Sequence, residues 1–394
     1  MRTPVRSAVV GGAFLMATSA IGPGFLTQTA VFTRDLGASF GFAILVSVVF
    51  DLAAQLLIWR VLIGAGEPAP RVADRVWPGL GSLLSGLVAL GGLAFNIGNV
   101  AGAGLGLHAL TGIDIRLGAA LSAGLALAVF LVRDAGRVMD AIVKVLGLVM
   151  VVLALSVAVR ANPPVGEALF RTVLPERIHP LAVLTIVGGT VGGYITFAGA
   201  HRLLEAGVAG PANVRLATQG ALLGISIATV MRVILFLGAL GVVAAGHVID
   251  PANPPASVFR IAAGDLGYRI FGLVMWAAAL TSVIGSAYTS VTFLGRWSTR
   301  RTLLTAVFIL TGTVIFLLVG QPVTILVAVG AVNGLILPLA LGTVLVALGR
   351  SPYRDLVPQP GWLIAAAAGV AVAMAALGGY TVFTQLPRLL GWSS

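Results

Sequence analysis

The chain has 394 residues, of which 58% are hydrophobic and only 9% charged, with a mean hydropathy of +1.05. A soluble domain cannot carry so little charge, so the chain reads as a polytopic membrane protein embedded in a lipid bilayer. It has no cysteine, which excludes disulfides and thiolate metal centres, and its net charge of +11 suits membrane orientation rather than nucleic acid.

The hydropathy pattern divides into eleven spans, at 8–32, 38–62, 83–108, 117–133, 140–159, 181–200, 217–245, 268–293, 302–319, 323–348 and 362–383. Each has about the 17–25 residues a helix needs to cross a bilayer. No connecting loop is long enough for a soluble domain, so residues 1–394 read as one transmembrane domain. The short basic head runs into the first apolar stretch without a convincing cleavage site, so a cleaved signal peptide is not expected. Basic residues crowd the loops on the N-terminal side, among them Arg60, Arg71, Arg75, Arg202 and Arg215. The bias places the N-terminus in the cytoplasm, with the protein in a bacterial-type inner membrane.

The first span holds Ala20-Ile21-Gly22-Pro23-Gly24-Phe25-Leu26-Thr27-Gln28-Thr29. Pro23 removes a donor, and Gly22 and Gly24 let the backbone leave helical geometry. Such a break is tolerated in a membrane only where the freed groups face protein or a polar cavity, which Thr27 and Gln28 would line. A plain proline kink is the simpler alternative. The sixth span holds a second weak stretch, Val187-Gly188-Gly189-Thr190-Val191-Gly192-Gly193-Tyr194, whose glycines each weaken a helix by about 1 kcal/mol relative to alanine. Close helix packing through small residues is the alternative here. The two weak stretches lie five spans apart, an odd number, so the halves that contain them have opposite topology. That pattern predicts an all-helical fold of two inverted five-helix repeats, about 8–159 and 181–348, with broken helices 1 and 6 and an added helix at 362–383. Paired interruptions of this kind mark transporter sites at mid-membrane.

Polar residues inside the spans are few. Asp51 is mid-way along the second span and Arg232 mid-way along the seventh; either an ion pair or an ion or coupling site accounts for them. In the third span Gly98, Gly102 and Gly106 recur every four residues as a close-packing face, with Asn96 and Asn99 beside it. These amides either hydrogen-bond neighbouring helices or contact substrate. Ser282, Ser286 and Ser290 form a polar stripe on the eighth span. Asn333-Gly334 and Pro338 suggest a further interruption in the tenth. His201, Arg202 and Glu205 read as a solvated helix end. The candidate substrate-binding residues are therefore Gly22, Gly24, Thr27, Gln28, Asn96, Asn99, Thr190, Gly192, Tyr194, Ser282 and Ser286. No nucleophile–base pair or phosphate loop supports an enzyme, and no cofactor is expected. Gly102-Ala103-Gly104-Leu105-Gly106 sits in an apolar helix, the wrong context for a dinucleotide site.

Three stretches resemble the natural resistance-associated macrophage protein (NRAMP) family of divalent-metal transporters, within the group sharing the leucine-transporter fold. They are Ile21-Gly22-Pro23-Gly24 followed by Leu36-Gly37-Ala38-Ser39-Phe40-Gly41-Phe42, then Asn96 to Ala103, then Gly188-Gly189-Thr190-Val191. The resemblance implies a secondary transporter with a mid-membrane site between helices 1 and 6. It also exposes departures. The family's metal-binding Asp and Asn of helix 1 correspond to Gly22 and Phe25, or in a shifted alignment Thr33 takes the aspartate's place. The family's Met-Pro-His of helix 6 corresponds to Gly192-Gly193-Tyr194, which removes the soft ligand. Acidic third-helix residues correspond to Asn96 and Asn99, so little proton coupling is expected through that helix. The expected substrate is a divalent cation or another small molecule; an amino acid or other organic solute is the alternative, and a non-transporting scaffold or sensor a second one.

Overall fold

The computed structural model describes residues 21–132, 135–294, 300–350, 353–356 and 358–384, with backbone alone for 135–144. The first part of the first span, 8–20, lies outside these residues. Among the described residues every regular element is a helix. The order is α1 (Pro23–Leu36), α2 (Phe40–Ala65), α3 (Ala69–Val76), α4 (Leu80–Thr111), α5 (Ile115–Leu131), α6 (Ala135–Arg160), α7 (Val165–Val173) and α8 (Pro180–Val191). Then follow α9 (Gly193–Glu205), α10 (Val214–Ala244), α11 (Pro254–Phe293), α12 (Arg301–Val319), α13 (Pro322–Leu348), α14 (Tyr353–Leu356) and α15 (Gly361–Thr384).

Among the described residues eight stretches are long and apolar enough to cross a membrane, and the bent pair α6–α7 makes a ninth. One of the eight, Pro23–Ala65, contains both α1 and α2, and α5 is a shorter apolar helix. The pattern is consistent with the eleven spans expected. The chain turns by 102° between Val145–Arg160 and Val165–Val173. α7 leaves Leu169, Phe170 and Val173 exposed.

Burial ranks the spans. In the Pro180–Glu205 span 89% of the most apolar window is buried, against 28% for α12 and for α15. The sixth span is therefore the centre of the molecule, and the latter two face lipid. Three apolar clusters surround the centre. One joins α2, α8, α9, α10, α13 and α15. Another joins α1, α6, α10 and α11, and the third joins α4, α5, α11 and α12.

Small residues bring the axes together. A Cβ on Gly188 would strike the Gly330 carbonyl oxygen and the backbone of Gly334, so α8 and α13 cross at backbone contact. The glycine face of α4 serves three neighbours at once: Gly98 meets Val329, Gly102 meets Pro23, and Gly106 meets the backbone of Trp276 and Gly272. α11 is longer than the eighth span expected from the sequence, because Gly264 (φ 68°, ψ −170°) breaks a leading segment from the crossing part. α13 runs unbroken through Asn333, Gly334 and Pro338. The interruption expected there does not occur.

Candidate substrate and ion site

The sixth span is broken, more narrowly than expected, and in the first span the described residues show where α1 begins. α1 starts at Pro23, where the missing N–H costs nothing, and Gly22 before it is extended (φ −91°, ψ −175°). Gly24 is already helical, so the helix leaves regular geometry at Gly22 rather than across Gly22–Gly24. In the sixth span Gly188, Gly189, Thr190 and Val191 stay helical; the break is at Gly192 alone (φ −55°, ψ 170°). The reason is packing: Gly188 is needed for the crossing with α13, which holds that turn in helical form.

The freed backbone groups at Gly192 are taken up by side chains, as a buried helix end requires. The Tyr194 N–H donates to Asn333 Oδ1 at 3.2 Å, and the Thr196 hydroxyl donates to the Val191 carbonyl at 2.8 Å. Asn333 Nδ2 donates in turn to the carbonyls of Gly91 and Val329 at 3.2 and 3.1 Å. One amide thus ties α4, α9 and α13 together. Trp59 Nε1 from α2 donates to the Thr196 carbonyl at 2.9 Å.

The candidate residues fall into three groups around this break. The first is Gln28 with its surroundings. Gln28 Nε2 donates to the Leu326 carbonyl at 2.8 Å, which joins α1 to α13, and its Oε1 faces Gly189 of α8. Gln28 Oε1 and Thr27 Oγ1 are buried without a hydrogen-bond partner among the described residues. Gly24 lies beside Leu326 and Gln28.

The second group lies between α4, α9 and α11. Asn96 Nδ2 donates to the Val283 carbonyl at 2.8 Å and to Ser286 Oγ at 3.2 Å. Tyr194 Oη donates to the Ser286 carbonyl at 3.4 Å, and the Ser290 hydroxyl does so at 2.7 Å. Phe95 packs against Tyr194 with ring centroids 5.6 Å apart. Asn99 is buried and Ser282 half-buried, and neither joins this network.

The third group holds the charges. Asp51 (4% exposed) and Arg232 (2%) line one small cavity with Phe25, Ser47, Thr190 and Thr229. They do not form a direct ion pair; those found among the described residues are elsewhere. The Arg232 guanidinium carbon sits 4.1 Å from the centre of the Phe25 ring. Its Nη1 reaches the Ile186 carbonyl at 3.5 Å, a long contact. Arg232 Nε and Nη2 and Asp51 Oδ1 have no partner among the described residues. Thr190 Oγ1 donates to the Ile186 carbonyl at 2.6 Å.

Toward the end of α9, an open cavity of about 340 Å³ is lined by Arg202, Glu205, Ala206, Tyr288, Thr289 and Thr292. Arg202 Nη2 donates to Thr289 Oγ1 at 3.0 Å, and His201 lies 3.3 Å from Glu205. The helix end read from the sequence as solvated borders this open cavity. Among the described residues no three of His, Asp and Glu gather to hold a metal ion.

Sequence reasoning missed Asn333 as an organising residue, and Thr185 and Thr196 as buried hydroxyls at the break. Asn333 stood out only as a helix-breaking pair with Gly334.

The family model for natural resistance-associated macrophage protein-like chains matches residues 13–384. The chain belongs to that family. This NRAMP-like chain is 52% identical over 392 residues to YcsG, an uncharacterized membrane protein of Bacillus subtilis, covering 98% of this chain and 96% of that one. It superposes on a manganese transporter of Eremococcus coleocola with a TM-score of 0.76 at 16% identity, covering 98% of this chain and 88% of the other. MhsT in complex with L-phenylalanine gives 0.69 at 15% identity, with 96% and 98% covered. The fold is therefore that of the leucine-transporter group, and this NRAMP-like protein is an integral membrane secondary transporter, not an enzyme.

Proposed function

We propose that this chain moves a hydrated divalent cation by alternating access, binding it between the start of α1 and the α8–α9 break. The observation that carries the reading is the break at Gly192 beside the buried, unpartnered oxygens Gln28 Oε1 and Thr27 Oγ1. Uncharged oxygens suit a hard cation that keeps part of its water. The soft ligands that favour a transition metal are absent from the family positions at Gly22, Phe25 and Gly192. Family membership and the likeness to the manganese transporter support the cation class. Residues 8–159 and 181–348 act as the two repeats that rock against each other, with 362–383 appended. In the inner membrane with a cytoplasmic N-terminus, the Arg202–Glu205 vestibule opens inward.

A small organic solute such as an amino acid is the second reading, favoured by the fold shared with MhsT in complex with L-phenylalanine. Uptake into proteoliposomes separates them. Accumulation of Mg²⁺, Ca²⁺ or Mn²⁺ above empty vesicles supports the first; uptake of an amino acid with indifference to all three ions replaces it with the second.

A further inference from the structure

We propose that Arg232 is a tethered cation: its guanidinium supplies the positive charge beside a monovalent-cation site walled by Asp51, Thr190, Ser47 and Ile186. A buried ion pair held for structure alone closes to direct contact, because attraction in a low-dielectric interior is strong and each charge must be satisfied. Here the two groups share a cavity without touching, and both retain unpartnered polar atoms. The guanidinium instead rests on the Phe25 ring at 4.1 Å, where cation–π attraction in a desolvated site replaces some of the missing hydrogen bonds.

The surroundings are those of an ion site. Asp51 supplies one carboxylate, Ser47, Thr190 and Thr229 line the wall with hydroxyls, and the Ile186 carbonyl points to the guanidinium. The cavity, about 10 Å³, is at the lower limit for one water and excludes an organic ligand. One carboxylate balances one positive charge. A divalent ion in place of the guanidinium would leave net buried charge, so the fitting class is a small alkali cation. The site joins α1, α2, α8 and α10, of which α1 begins after Gly22 and α8 ends at the Gly192 break, so its occupancy bears on how they sit together. Because the cation is covalently attached, no ion enters or leaves here during transport.

The prediction is that removing the guanidinium creates an alkali-ion requirement the natural protein lacks. Purified wild type, Arg232→Met and Asp51→Asn/Arg232→Met are compared by thermal unfolding in detergent, in NaCl or LiCl against choline chloride at equal ionic strength. The expected result is a melting temperature that rises by several degrees with Na⁺ or Li⁺ in Arg232→Met only, saturably, with wild type and the double variant indifferent. Where Arg232→Met does not accumulate, Arg232→Gln, which keeps a donor toward Ile186, carries the same test. Arg232→Lys, which keeps the charge, stays indifferent. The proposal is overturned if the single variants ignore alkali ions, if they are stabilised by acid alone, or if the double variant responds equally. The readout is ion binding rather than transport, so it stands apart from the identity of the transported substrate.

Discussion

Two polar groups flank the break at Gly192, one built of neutral side chains and one of ionisable side chains. On the α4–α11 side, Asn96, Ser286, Ser290, Tyr194 and Asn333 are neutral and donate to backbone carbonyls or to one another, and of their atoms Asn96 Oδ1 is left without a partner among the described residues. On the α2–α10 side, Asp51 and Arg232 are ionisable, and each keeps unpartnered atoms. Neutral amides and hydroxyls are short enough to find partners on the adjacent helix turn, and a buried neutral group needs only one or two. A buried charge needs more, and its shortfall is expensive. The neutral side ties the helices around the break together through Asn333 and Tyr194, and the other side carries the buried ionisable groups.

Breaking the ionic side gives the largest expected effect. Asp51→Ala leaves Arg232 buried with no counter-charge, and it should lower stability by about 3–5 kcal/mol. Asp51→Leu/Arg232→Met removes both charges and should recover most of that loss, because well-packed apolar replacements of a buried pair are near neutral. Chemical denaturation in detergent measures both. Equal loss in the single and double variants would show that packing, not charge, sets the stability here.

Breaking the frame comes next. Gly188→Val drives a branched side chain into the Gly330 carbonyl and the Gly334 backbone. The expected loss is about 1–3 kcal/mol, the scale of overpacking in a tight core. Asn333→Leu strips the Tyr194 N–H and the carbonyls of Gly91 and Val329 of their shared partner. It should cost about 1–3 kcal/mol, from the orphaned buried donor at the break. It should also lower transport more than stability, if the break must hold its shape for substrate to bind. Uptake normalised to folded protein checks this, and a variant transporting at the wild-type rate would reduce Asn333 to packing.

Much of the fold was legible because its signals are local. Apolar length located the spans, and the four-residue repeat of Gly98, Gly102 and Gly106 announced a packing face that three helices in fact use. The start of α1 was visible as Pro23 with its glycines, and the interruption of the sixth span as its glycine run. Their limits were not, since Gly188 stays helical through contact with α13, more than a hundred residues away in the chain. For the same reason Asn333 was unreadable: its three partners lie on three helices. Pro338 misled in the opposite direction, because a membrane helix can carry a proline without breaking. Asp51 and Arg232 were identifiable as costly residues, but the sequence suggested a closed pair or an ion site, and the structure places them across a small cavity from one another.

The smallest expected effect sharpens the comparison by supplying a third polar group, one beyond the spans. Tyr353 of α14 donates to Glu67 Oε2 at 2.7 Å, and Glu67 also pairs with Arg75. Burial, the hydrogen bond to Glu67 and the Glu67 charge all push the Tyr353 hydroxyl above its usual value, while Arg75 opposes them. A group whose proton is held more tightly when folded contributes stability below its unfolded value, and the contribution is lost as pH rises through the folded one. Tyr353→Phe should thus lower stability by about 1 kcal/mol near neutral pH. Above pH ~10, where the unfolded tyrosine starts to release its proton, the gap between wild type and Tyr353→Phe should shrink. Thermal unfolding of the two proteins between pH 7 and pH 11 reads this directly. A gap that stays constant across that range would mean that the hydroxyl's proton does not hold α14 to the end of α2.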